Sequence, residues 1–206
     1  MCVTLNKLIF YNSSDLKVES ILPTNTYNYK IKLSHKVVLY CLKTFFNIPN
    51  TKILKNRLGK PYIAHSSNLN FSISHTKDLS VFIFSDKNIG IDIEYVNMRT
   101  IDPKLKFFFN ASEFKYIAES KNTNFSFYEL WTLKEAYLKY LGVGLTKALK
   151  SIEVIPDGEN YLVKDEGIPL NLYFKHIYYS HWNCIVSICS EEKLSSNYLI
   201  INKINI

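Results

Sequence analysis

The chain has 206 residues, 47% of them hydrophobic and 21% charged, with a net charge of +7. That is too apolar for a disordered polymer, and six glycines with six prolines leave no fibrous repeat or long flexible linker. The basic balance favours an anionic partner, but the lysines are scattered and no base-reading motif accompanies them, so a nucleic-acid partner is not expected.

Taken in chain order, the opening Met1-Cys2-Val3-Thr4-Leu5-Asn6-Lys7 has no basic region followed by a sustained apolar stretch and a cleavage site. The longest apolar runs, such as Val37-Val38-Leu39-Tyr40-Cys41-Leu42, are too short to cross a bilayer. The four cysteines, Cys2, Cys41, Cys184 and Cys189, show neither a zinc spacing nor a Cys-x-x-Cys pair, so reduced, buried thiols are expected. Together these features predict a cytoplasmic protein without membrane association.

From about Tyr29 to Phe46, apolar residues recur at helical spacing, and the helix ends before Pro49. A loop with Gly59-Lys60-Pro61 follows. Strands are predicted at Asn70–Ser74, Ser80–Ser85 and Ile89–Tyr95, the first two separated by a polar turn at Thr76-Lys77-Asp78. The second half opens with helical patterns over Asp102–Glu119 and Phe127–Leu141, the latter closed by Gly142 and Gly144. Strands near Ser151–Ile155, Leu170–Tyr179 and Trp182–Cys189 complete the chain. Helix then strands, twice over, suggests an α+β fold of two similar halves, although no identity repeat links them.

Gly90-Ile91-Asp92-Ile93-Glu94 puts Asp92 and Glu94 on one face of a strand, where two carboxylates repel unless a cation lies between them. Few oxygen ligands, with room for water and phosphate oxygens, suit Mg²⁺; an alternating, solvent-facing strand edge explains the same pattern. In Trp131-Thr132-Leu133-Lys134-Glu135-Ala136-Tyr137-Leu138-Lys139, Glu135 and Lys139 share a helix face, with Lys134 one step round. They suit a third metal carboxylate and phosphate-binding lysines, or a common surface ion pair. His75 stands at a strand end, and Asn110 with Glu113 three residues later resembles a helix-capping box. The remaining histidines, His35, His65, His176 and His181, have no ligand spacing.

The series Gly59-Lys60-Pro61, Phe71-Ser72-Ile73-Ser74-His75, Gly90-Ile91-Asp92-Ile93-Glu94 and Trp131-Thr132-Leu133-Lys134-Glu135-Ala136-Tyr137-Leu138-Lys139 resembles the larger, surfactin-synthetase-activating class of 4′-phosphopantetheinyl transferases. The resemblance is clearest from about Leu58 to Ile155. It implies a pseudo-twofold α+β fold of two α/β halves with coenzyme A and Mg²⁺ between them. Residues 1–97 would form the N-terminal half, with the nucleotide grip and the first metal carboxylates, and 98–206 the C-terminal half with the Lys-Glu-x-x-x-Lys helix.

Carried over by position, Asp92, Glu94 and Glu135 would hold the metal. Lys60, Ser74 and His75 would grip the nucleotide end of coenzyme A and Lys134 and Lys139 its pyrophosphate, with Lys30 and Pro61 also among the coenzyme-binding residues. A carboxylate, Glu135 or Glu113, or a metal-bound water would take the proton of the incoming hydroxyl, and Lys139 would stabilise or protonate the departing 3′,5′-ADP. The implied reaction moves 4′-phosphopantetheine to a serine of an apo acyl or peptidyl carrier protein, performed by a monomer; the alternative is a module that binds coenzyme A or a carrier without transfer. The first thirty residues lack the family's basic helix, Lys30 replaces an arginine, and Phe107-Phe108-Phe109 replaces Arg-Phe-Phe.

Overall fold

The computed structural model describes residues 7–12, 26–65, 68–77, 79–98, 107–158 and 160–194, with the backbone alone at 7–12, 26–33 and 145. The first strand, β1 (Lys7–Asn12), and helix α1 (Thr26–Phe46) precede a small hairpin, β2 (Ile53–Lys55) and β3 (Pro61–Ile63). Then come β4 (Asn70–Thr76), β5 (Leu79–Ser85) and β6 (Ile89–Tyr95). Helices α2 (Ala111–Glu119) and α3 (Thr123–Leu141) follow, then β7 (Ile152–Asp157), β8 (Asn160–Asp165), β9 (Ile168–Pro169), β10 (Tyr173–Tyr179) and β11 (Cys184–Ser190).

Two three-stranded antiparallel sheets form the centre, ordered β1-β5-β4 and β6-β11-β10. Each contains a leading strand, then a hairpin that follows a long helix, and in each the second hairpin strand is central. This topological repeat gives the expected pseudo-twofold order a concrete form. The strand pairing runs across the expected division after residue 97. β6 exchanges its ladder with β11, pairing Ile93 with Val186 and Ile91 with Ile188, so it belongs to the second sheet and the halves part between β5 and β6.

Strand alternation builds the core in three layers. Leu79, Val81 and Ile83 of β5 meet Ile89, Ile91 and Ile93 of β6 and Cys184, Val186 and Ile188 of β11, all buried. The opposite faces of β4 and β5 present Phe71, Phe82 and Phe84 to Val37, Val38, Cys41 and Leu42 of α1. Helix α3 covers the outer faces of β6 and β11, and its far side packs on α2 and the β7-β8-β9 sheet through Phe127, Leu130, Ile152, Val154 and Val163. Cys184 and Cys189 are buried free thiols and Cys41 of α1 is buried, while Cys2 lies outside the described residues. No helix among the described residues is long and apolar enough to cross a membrane.

Two glycines set close approaches. A side-chain carbon at Gly90 would lie 2.0 Å from the Ala136 carbonyl oxygen and 2.4 Å from the Tyr140 nitrogen, so only glycine lets β6 rest directly on the α3 backbone. Gly142 ends α3 in the left-handed region, φ +73°, where such a carbon would meet the Lys60 side chain at 2.7 Å.

Candidate active site

Because Gly90 brings β6 onto α3, the residues two and four places on, Asp92 and Glu94, share the face turned towards Glu135 and Lys139. Asp92 is 4% exposed. Its Oδ1 accepts from Lys139 Nζ at 2.6 Å and from Ser74 Oγ at 2.7 Å, and Lys139 Nζ also donates to Ser74 Oγ at 2.6 Å. Its Oδ2 is the one buried side-chain polar atom among the described residues that has no hydrogen-bond partner. Glu94 is half-buried and accepts at Oε2 from Thr76 Oγ1, 2.8 Å away.

Glu135 completes the group electrostatically. Its carboxyl is pushed up to about 7, first by burial, then by the charges of Asp92 and Glu94, with Lys139 opposing. Among the described residues no three His, Cys, Asp or Glu side chains form a ready-made metal cage. The donor set nevertheless fits a hard cation completed by water and phosphate oxygens: an unpartnered buried carboxylate oxygen on Asp92, and a neighbouring Glu135 whose deprotonation is opposed by burial and by the charges of Asp92 and Glu94.

Lys139 lies at the edge of this group, its side chain 28% exposed, and lines a cleft of about 390 Å³ with Lys60, Pro61, Ser72 and Gly142. The turn of the β2–β3 hairpin places Lys60: Asn56 Oδ1 accepts from the backbone nitrogens of Leu58 and Lys60 at 3.0 and 2.9 Å. Lys60 Nζ then donates to Asn88 Oδ1 at 2.9 Å and to the Tyr140 carbonyl at 2.8 Å, tying the hairpin to the C-terminal end of α3. An ammonium has three donors, so one remains for the cleft. Pro61 and Ser74 belong to the same neighbourhood, and His75 is exposed on β4. Lys30 falls in α1, where only the backbone is described.

Lys134 and Glu113 are elsewhere. Lys134 Nζ donates to Glu113 Oε2 at 2.7 Å and to the Phe108 and Leu149 carbonyls at 3.1 Å each, with no side-chain exposure on either partner of the ion pair. Glu113 also accepts from the Val154 nitrogen at 2.8 Å and forms the expected capping box with Asn110 at the start of α2. Burial pulls Glu113 up and Lys134 down in pKa, each opposed by the other's charge. All three ammonium donors are used inside the core, where the pair clamps α2 and β7 to α3, and neither side chain lines the cleft beside Lys139.

Thr76 was the residue not foreseen as part of the site, because the polar Thr76-Lys77-Asp78 stretch resembles a turn. β4 runs on through Thr76, and the chain turns at Lys77, φ +43°. The available signal was the alternation Ser72, Ser74, Thr76, a row of hydroxyls on one face.

The model of the 4′-phosphopantetheinyl transferase superfamily (ACPS) matches residues 88–198, more than half of the 206. The 4′-phosphopantetheinyl transferase gsp of Aneurinibacillus migulanus is 36% identical over 122 residues, which are 57% of this chain and 50% of that protein. A 4′-phosphopantetheinyl transferase of Bacillus subtilis is 38% identical over 112 residues, covering 53% and 46%. The 4′-phosphopantetheinyl transferase Sfp of Bacillus subtilis strain 168 is 33% identical over 97 residues, covering 47% and 43%. The chain spans about half the length of the curated relatives it matches. The matched segment holds β6 and α3, the two elements that carry Asp92, Glu94, Glu135 and Lys139, and the chain belongs to the 4′-phosphopantetheinyl transferase superfamily.

Proposed function

We propose that the chain transfers the 4′-phosphopantetheine arm of coenzyme A to a serine hydroxyl of an apo carrier protein and releases 3′,5′-ADP. One observation carries the reading. Asp92 is buried with Oδ2 unpartnered, beside Glu94 and Glu135, while Lys139 binds its other oxygen at the mouth of a cleft. A fully paired structural carboxylate has no need of that arrangement.

In the reaction the serine oxygen bonds to the β-phosphorus, the bond from that phosphorus to the bridging oxygen breaks, and 3′,5′-ADP leaves with the electron pair. Mg²⁺ held by Asp92, Glu94 and Glu135 would supply charge neutralisation at the pyrophosphate oxygens. Lys139, already charge-paired at the cleft edge, turns its ammonium to the departing phosphate oxygens. Lys60, fixed by Asn88 and Tyr140, holds the nucleotide end with Pro61, Ser74, His75 and Lys30. With Glu113 enclosed in the core, Glu135 is the carboxylate that takes the serine proton, directly or through water. The net charge of +7 supports docking of an acidic carrier.

The test is the intact mass of an apo carrier domain after incubation with the protein, coenzyme A and Mg²⁺. A gain of one phosphopantetheine group, lost on chelation, is expected. Coenzyme A binding without mass gain on acyl or peptidyl carriers would replace this reading with a non-catalytic binding module.

A further inference from the structure

β4 and β6 lie side by side, yet no backbone ladder is formed between them; β4 pairs with β5 and β6 with β11. Hydroxyls make the seam instead. Ser72 Oγ accepts from the Ile91 nitrogen at 3.1 Å, Ser74 Oγ donates to Asp92 Oδ1 at 2.7 Å, and Thr76 Oγ1 donates to Glu94 Oε2 at 2.8 Å. The residue numbers rise together along both strands, so the two run parallel. Alternation turns Phe71 and Ile73 to the core under α1 and presents the three hydroxyls to β6.

We infer that Thr76 is a positioning residue for the cation site: it orients Glu94 as Ser74 orients Asp92, and the hydroxyl row of β4 sets the geometry of both carboxylates. The inference rests on the metal reading proposed above. Thr76 is buried, and its branched side chain is stiff about χ1, so its hydroxyl is aimed by the strand backbone. A glutamate side chain has several rotors, and two acids on one strand face repel each other, so Glu94 needs a donor to hold it towards Asp92. Partners of this kind act on metal affinity through the ligand they hold.

Mn²⁺ binding, followed by the loss of the free-ion EPR signal with neither coenzyme A nor carrier present, tests this directly. Thr76→Val is expected to weaken Mn²⁺ about tenfold, and Thr76→Ser to return it to within about threefold of the parent. Thr76→Ala removes the same hydroxyl without added bulk and is read alongside Val as a check on folding. In a Glu94→Gln background, Thr76→Val should weaken binding no further, which separates action through Glu94 from a general packing effect. Unchanged Mn²⁺ affinity in Thr76→Val, or a full extra loss in the Glu94→Gln background, overturns the inference while the transferase reading stands. A parent that binds no Mn²⁺ removes the metal reading and this inference with it.

Discussion

Two lysine–carboxylate pairs, both made by α3, differ in what surrounds them. Lys134–Glu113 and Lys139–Asp92 have almost the same length, 2.7 and 2.6 Å. The first is closed: every ammonium donor and both carboxylate oxygens are engaged, and no side-chain surface is exposed. The second is open, with one carboxylate oxygen unpartnered and a lysine reaching the edge of a cleft. Distance alone does not distinguish the two pairs; burial and the count of satisfied hydrogen-bonding groups do.

If that contrast holds, breaking the two pairs should affect different properties. The largest effect on folding is expected from Lys134→Met, which leaves Glu113 charged in the core and should cost about 3–5 kcal/mol in urea unfolding. Adding Glu113→Gln should recover part of that loss. Asp92→Asn should instead lower transfer by on the order of 10²–10³-fold in the carrier mass assay. Its unfolding free energy should stay within about 1 kcal/mol of the parent, because the freed Lys139 already reaches solvent. A folding loss in Asp92→Asn as large as that in Lys134→Met would erase the distinction.

A smaller effect sharpens it. Glu135 has its carboxyl raised from 4.5 to about 7, so in the metal-free protein the folded state holds the proton more tightly than the unfolded chain. Between these values stability should fall as pH rises, and the same slope should be missing in Glu135→Gln. Mn²⁺ affinity should likewise weaken as pH drops from about 8 to 6, because the ion competes with the Glu135 proton. Parallel stability curves for parent and variant would show that the acids are less crowded than their positions indicate.

Local rules made much of the site legible. Alternation in Gly90-Ile91-Asp92-Ile93-Glu94 puts both acids on one face, and the four-residue spacing of Glu135 and Lys139 puts them on one side of α3. The capping box of Asn110 and Glu113 was readable for the same reason. Lys134 shows where local rules stop. Five residues from Lys139, it stands well round the helix, but only the packing of α2 and β7 decides whether that direction is solvent or core. The partner of β6 was hidden more deeply, since its ladder joins residues far apart in sequence and no turn signal marks it.

The placement of β6 also matters for the chain as it emerges during synthesis. The strand is complete at Tyr95, but its ladder partner begins only at Cys184, so a row of three isoleucines must wait for its sheet. Such a strand invites pairing with another chain, and charges placed within it act as gatekeepers against that outcome. The only charges in β6 are Asp92 and Glu94. The same two acids that crowd Glu135 in the folded protein are thus the charges placed to discourage such pairing, and a lower soluble yield of a doubly neutralised Asp92→Asn, Glu94→Gln variant is the expected sign.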